Sequence, residues 1–219
     1  MHGELSCFLF SCGMLSDTSH TLDVNRNINR KVSLYEKSHM RSEESEKAFF
    51  DNLLLVDHDL SLTFAGKEGV SPPDTDVVAY HFTMNHACTG EKMGRINIKA
   101  GYTENIIRYR GNIGYTVYEK YRGNHYSSRS CRLLVPVLRY LGMNPVYITC
   151  DTDNVASRKN IEALGAEFLG IERITESSPY CPYYPEKARV KLRYRWEVGN
   201  KEQDDKREVQ DGFSENDIV

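Results

Sequence analysis

The chain has 219 residues, with 28 Lys and Arg against 31 Asp and Glu, a formal net charge of -3, and 40% hydrophobic residues. That length suits one domain with tails, and the apolar content is too high for a disordered chain. No uninterrupted apolar run approaches the ~18 residues of a membrane span. The near-neutral balance argues against a dedicated nucleic-acid binder, which carries a basic excess. Neither membrane nor nucleic acid is therefore an expected partner.

Residues 1–41 show no sustained period and are rich in Ser, Asn, Asp and His, which predicts a flexible N-terminal arm. Their first fifteen residues are moderately apolar but lack the basic start of a signal peptide. From Ser42 the text changes. Glu43 and Glu44 favour a helix N-terminus, and Phe49, Phe50, Leu53, Leu54 and Val56 fall on one helical face, predicting a helix over 42–56. LSLTFAG then reads as a strand, followed by a polar turn through Ser71-Pro72-Pro73-Asp74.

Three strand-like runs come next, Val77–Asn85, Met93–Ala100 and Asn112–Tyr118, with glycines at the turns that suggest antiparallel hairpins. A helix is predicted from about Asn124 to Leu141, kinked where Pro136 removes a backbone donor. Val146–Cys150 is apolar enough for a strand covered on both faces. A capped helix then ends at Gly165, and residues 166–173 form another strand. From 188 to 198, Ala188, Val190, Leu192, Tyr194, Trp196 and Val198 alternate with charged residues, the mark of a strand with one buried face. The tail 200–219 is polar and reads as disordered. The globular domain is thus expected over 42–199, a mixed α/β sheet with helices on its faces.

The six cysteines (Cys7, Cys12, Cys88, Cys131, Cys150 and Cys181) form no Cys-x-x-Cys pair. Buried free thiols in a reducing, cytoplasmic setting are the expectation. The seven histidines show no metal-ligand spacing, so no metal is expected.

The stretch with most chemical content is GNIGYTVYEKYRGNHYSSRSCRLL, residues 111–134. A strand runs into a turn, Tyr121-Arg122-Gly123-Asn124-His125-Tyr126-Ser127-Ser128, that opens a helix. Amides in a first helical turn have no internal partners and carry partial positive charge, which suits a phosphate. Gly123 allows close approach, Arg122 adds a cation, and Ser127 and Ser128 add hydroxyls. The turn is neither a Walker A loop nor Gly-x-Gly-x-x-Gly. On spacing alone, an anion site and a purely structural turn remain equal readings.

Asn154-Val155-Ala156-Ser157 opens the next helix, followed by Leu164-Gly165. Together with the strand Gly114–Tyr118 and the turn Arg122–Ser127, this resembles the GNAT superfamily of acetyl-CoA-dependent N-acetyltransferases over about residues 77–198. Within it the chain is similar to a group of uncharacterised predicted acetyltransferases ending in an Arg193-Tyr194-Arg195-Trp196 type of strand.

The resemblance implies a mostly antiparallel sheet in which a parallel pair, Gly114–Tyr118 and Val146–Cys150, splays apart around the pantetheine arm. It implies a coenzyme pyrophosphate on the amides of Asn124–Ser128, beside Arg122 and Gly123. Asn154 and Ser157 would border the coenzyme arm and the departing sulfur. The thioester oxyanion would take a free amide near Val117 or Tyr118. The implied activity is acetyl transfer from acetyl-CoA to a primary amine, on a small molecule or peptide, by direct attack in a ternary complex. Homodimers occur in the superfamily. A non-catalytic acyl-CoA-binding or sensor protein is the alternative on the same fold.

Three positions depart from the family pattern. His125 stands where a glycine is usual, a role that survives if its φ is negative, and Ser127 replaces Gly or Ala. Ile161 stands where many members carry a Tyr that serves as general acid. The segment before Val77 is also too short for the two helices that usually help build the acceptor pocket. Candidate acid–base residues are Glu119 at the end of the coenzyme strand, Tyr118, and His81 in mid-strand. Glu104 is a further one. Cys150 lacks an obvious activating partner for a nucleophilic role.

Overall fold

Helix α1 (Glu43–Asp51) begins where the sequence predicts, in a computed structural model that describes residues 42–198. The N-terminal arm and the C-terminal tail expected above lie outside the described residues. The Ser42 hydroxyl caps α1 by accepting from the Ser45 amide, and Glu43, Glu44 and Glu46 fill its first turn.

The helix does not run to Val56. Asn52 closes it by donating its side-chain amide to the Ala48 carbonyl at 2.8 Å. The apolar residues beyond it become strand β1 (Leu55–Asp57), paired antiparallel with β2 (Leu60–Gly69) across a two-residue His58-Asp59 turn. Leu55 is buried opposite Leu62, whereas Leu54 is 84% exposed. Pairing with β2 decides the matter over helical spacing.

Strands β3 (Val78–His86), β4 (Lys92–Ala100) and β5 (Ile113–Val117) continue an antiparallel meander, β1-β2-β3-β4-β5. Alternation sends Tyr80, Phe82, Met84, Ile96 and Ile98 to one face. There they pack against α1, α2 (Tyr126–Leu133) and α3 (Val135–Tyr140), with Phe50 stacked on Phe64 and Phe49 on Tyr140. The opposite face carries a smaller cluster of Val70, Val77 and Ala79 under Ile106 of a π-helical turn (Ile106–Arg110). The single helix predicted over 124–141 is two helices. It breaks at Leu134, two residues before the proline whose missing donor was expected to kink it.

The second sheet, β6-β8-β7, is formed by β6 (Val146–Asp151), β7 (Glu167–Arg173) and β8 (Val190–Trp196), with α4 (Val155–Ala163) between β6 and β7. Both neighbouring pairs are antiparallel. In β8 the alternation is as predicted, with Leu192, Tyr194 and Trp196 buried. Its basic face is neutralised by neighbours: Arg193 reaches Glu172 at 2.7 Å, Arg195 reaches Glu167 at 2.9 Å, and Lys191 pairs with Asp151.

Candidate functional site

The two sheets are tied together where β5 begins. Asn112, fully buried, donates its amide to Tyr147 O (2.6 Å) and accepts from Tyr147 N on its side-chain oxygen (2.9 Å). Its side-chain amide also donates to Lys99 O and Gly101 O (3.0 and 2.8 Å). Next to it Gly111, at φ 70, lets the chain pass so close that a Cβ there would stand 3.0 Å from Thr149 N. Beyond this clamp, β5 and β6 share no ladder. The expected opening of Gly114–Tyr118 from Val146–Cys150 is therefore present.

The β4–β5 register shows which amides face the opening. Residues in an antiparallel pair alternate between bonded and non-bonded partners. Tyr118 N donates to Met93 O at 2.8 Å, and Lys99 N donates to Asn112 O at 2.7 Å. Thr116 and Gly114 fall in the same bonded set, so Ile113, Tyr115 and Val117 turn their amides toward the gap. This corrects one expectation: the Tyr118 amide is used by the sheet, and of the two only that of Val117 is free for an oxyanion.

At the other end of β5 the chain passes a short 3₁₀ turn (Glu119–Tyr121) and enters the Arg122–His125 loop. No protein partner is present, among the described residues, for the backbone amides of Gly123 to Ser128. His125 caps nothing with its side chain, and its φ is 55 rather than negative. The expected condition fails, yet the turn keeps the left-handed path that a glycine would take there, at a strain of roughly 1–2 kcal/mol. Arg122 folds back, with Nε donating to Val117 O at 3.3 Å.

A polar network anchors this helix start. Arg129 donates to the Asp57 carboxylate (2.6 Å) and to Asp59 (2.8 Å), and the Tyr126 hydroxyl donates to Asp59. The Tyr126 hydrogen bond, followed by Arg129, holds the Asp59 carboxyl below its usual range.

Across the gap, Asn154 caps α4 by accepting from Ser157 N at 3.0 Å. The Ser157 hydroxyl lies 2.8 Å from that of Tyr115. Two cavities meet at this contact. One, of about 420 Å³, is lined by Val117, Arg122, Gly123, His125, Ser127 and Asn160. The other, of about 300 Å³, opens between β5 and β6 and is lined by Gly114, Thr149, Cys150, Asp151, Tyr184 and Lys191. Tyr115, Asn154 and Ser157 line both.

The three predicted acid–base residues are not gathered here. Glu119 and Tyr118 sit at the 3₁₀ turn and line neither cavity. His81 points from the non-core face of β3, 3.1 Å from Glu68. Glu104 pairs with Arg108 and accepts from Tyr180. Burial pushes the Cys150 thiol up to about 11, which disfavours the thiolate that a nucleophile needs.

Tyr115 is on the coenzyme strand that leads to the candidate Tyr118, and packing is the expected role for at least one of the two. Two residues at the site carried no sequence signal as functional groups, Asn112 and Lys99, whose Nζ would stand 3.3 Å from a Cβ on Gly114. The Lys99 amine donates to Asn97 Oδ1 (3.1 Å) and is pushed down to about 8, chiefly by burial and secondarily by Arg110.

A parted sheet, a helix opening with unpartnered amides and a cavity joining the two define an acyl-coenzyme transferase class of fold. Residues 25–167, more than half of the chain, match the family model described as the acetyltransferase (GNAT) domain. The chain belongs to that family. The match begins within the 1–41 segment and ends at the first residue of β7.

Solved structures similar to this chain include the ribosomal L7/L12 alpha-N-protein acetyltransferase RimL with coenzyme A (20% identity, 55% of this chain and 62% of that one, TM-score 0.43). Another is the ribosomal-protein-S5-alanine acetyltransferase of Vibrio fischeri (13%, 56% and 63%, TM-score 0.43). A third is the Salmonella typhimurium enzyme acting on the N-terminal serine of L7/L12 (19%, 55% and 64%, TM-score 0.41). The chain spans less than two thirds of the length of each. No curated protein matches it.

Proposed function

We propose that this protein transfers an acetyl group from acetyl-CoA to a primary amine by direct attack in a ternary complex. The observation that carries the reading is the run of unpartnered amides from Gly123 to Ser128 at the mouth of an unladdered gap. Such amides suit a pyrophosphate, with Gly123 and Asn124 at the turn and Tyr126, Ser127 and Ser128 at the helix start. Arg122 lies alongside as a cation.

The pantetheine arm would follow the gap, bonding the outward edge of β5 and passing Asn154. The Val117 amide then points to where the carbonyl oxygen gains charge, in a site that needs no reorganisation. The smaller cavity would receive the acceptor, on a small molecule or a peptide. The ion-paired Asp151 and Lys191, with Tyr184, form part of that cavity's wall. Of the four described cysteines, Cys131 and Cys150 are buried free thiols and Cys88 is exposed; a cytoplasmic setting is part of this proposal.

Free-thiol release from acetyl-CoA across an amine library tests this reading, with Arg122→Ala and Asn154→Ala as controls. Amine-dependent release that both variants weaken is the expected result. Coenzyme uptake with no release for any amine would reduce the protein to a binder.

A further inference from the structure

The proposed reaction leaves two proton transfers unassigned, and Tyr115 is the titratable side chain at the junction that it leaves without a task. When the amine lone pair bonds to the carbonyl carbon, the nitrogen must shed a proton. When the C–S bond breaks, its electron pair goes to sulfur, which must gain one. One turn beyond Ser157 on α4 stands Ile161, fully buried and with no proton to give. Across the gap, however, the Tyr115 hydroxyl reaches the Ser157 hydroxyl at 2.8 Å, and either can donate. Both side chains line both cavities, so the pair spans the boundary between the coenzyme side and the acceptor side.

We propose that the Tyr115–Ser157 hydroxyl pair is the relay that carries a proton from the attacking nitrogen to the departing sulfur. Ser157 hands its proton to sulfur, Tyr115 hands its own to the Ser157 oxygen, and the Tyr115 oxygen takes the one shed by nitrogen. Both hydroxyls end as they began, and the net products are an amide and a free thiol. Burial, opposed by the Ser157 hydrogen bond, raises the Tyr115 phenol above its ordinary value. A phenol that resists ionisation is a poor store of charge, but it conducts a proton when one arrives as another leaves. This inference rests on the proposed acetyl-CoA site. A bond that merely ties β5 to α4 would be indifferent to the thiol that leaves.

That indifference supplies the test. Tyr115→Phe keeps the ring and removes only the hydroxyl, and Ser157→Ala cuts the same chain from its other end. Coenzyme A affinity by calorimetry should be retained in both. The single-turnover rate with acetyl-CoA should fall about 100-fold, the lower end for a lost proton-transfer group. The double variant should be no slower than either single one, as for residues acting as a unit. With an acetyl thioester of an aryl thiol, which departs without needing a proton, wild type and Tyr115→Phe should converge. An unchanged rate in Tyr115→Phe, or a deficit of the same size with both thioesters, overturns the relay while leaving the coenzyme site intact. Failure of the wild type to take up coenzyme A would remove the site, and the relay with it.

Discussion

Gly94 sits on β4 directly opposite Val117, in a non-bonded pair where facing side chains come closest. A Cβ at Gly94 would stand 2.3 Å from Thr116 O, 3.1 Å from Val117 Cα and 3.1 Å from Met84 Sδ. Met84 can adjust, but the two β5 atoms are backbone and can only retreat together. A shift of about 1 Å restores ordinary contact and strains the Tyr118-to-Met93 hydrogen bond, now 2.8 Å. Overpacking costs about 1–3 kcal/mol and a weakened ladder bond about 1 more. Alanine's lower backbone entropy offsets under 1 kcal/mol. Gly94→Ala should therefore lose about 3 kcal/mol, or roughly 6–12 °C in Tm for a domain of this size. Coenzyme A affinity should fall as well, because the Val117 edge moves. Gly123→Ala meets no atom within 4 Å and carries only the strain of φ 90, so it should lose about 1–2 kcal/mol. Thermal unfolding and calorimetry of both variants measure these effects. A Gly94→Ala protein that melts with the wild type would refute the reasoning.

Other expectations follow from buried polar groups. Lys99 has its amine lowered from 10.5 to about 8, so between those values the unfolded chain holds a proton that the folded one has released. Stability of the wild type relative to Lys99→Met should rise with pH through that window by up to about 3 kcal/mol, read from urea midpoints, with the variant the more stable at pH 7. Asp74, 1% exposed, accepts from Thr103 (2.5 Å), Asn105 (2.7 Å) and Arg110 (3.2 Å). Asp74→Ala should cost about 3 kcal/mol in chemical denaturation by taking the carboxylate acceptor from Thr103 and Asn105 and the counter-charge from Arg110. Asn112→Leu should cost a similar amount and loosen the base of the gap, detected as faster amide exchange at Tyr147.

The elements most legible in the sequence are those whose pattern is local. Pro136 signalled only a kink where the chain breaks into α2 and α3, but strand β8 could be read from strict alternation and α4 from an Asn cap and a terminal glycine. Leu53–Val56 could not, because a four-residue apolar run fits both a helical face and a strand, and the partner that decides lies on β2. The Arg122–Ser128 turn was visible as a strand running into a helix with Gly123, though spacing alone left its purpose undecided. The gap itself was expected only through family resemblance. Its clamp depends on Asn112 reaching Tyr147, 35 residues away, which no local pattern encodes. Lys99 looked like one polar position in an alternating strand. Its burial arises beside Arg110 and Asp74, which are brought there by the π-helical turn and the 71–76 loop. His81 and Glu119 were attractive for their chemistry alone, and strand β3 and the 3₁₀ turn carry them away from the cavities.

Amide chemical-shift mapping during a coenzyme A titration tests the central claim most directly. The account predicts its largest shifts at Gly123 to Ser128 and at Val117, with the Tyr118 amide, bonded to Met93, moving little. Shifts confined to another surface, or none at saturating coenzyme, would contradict it.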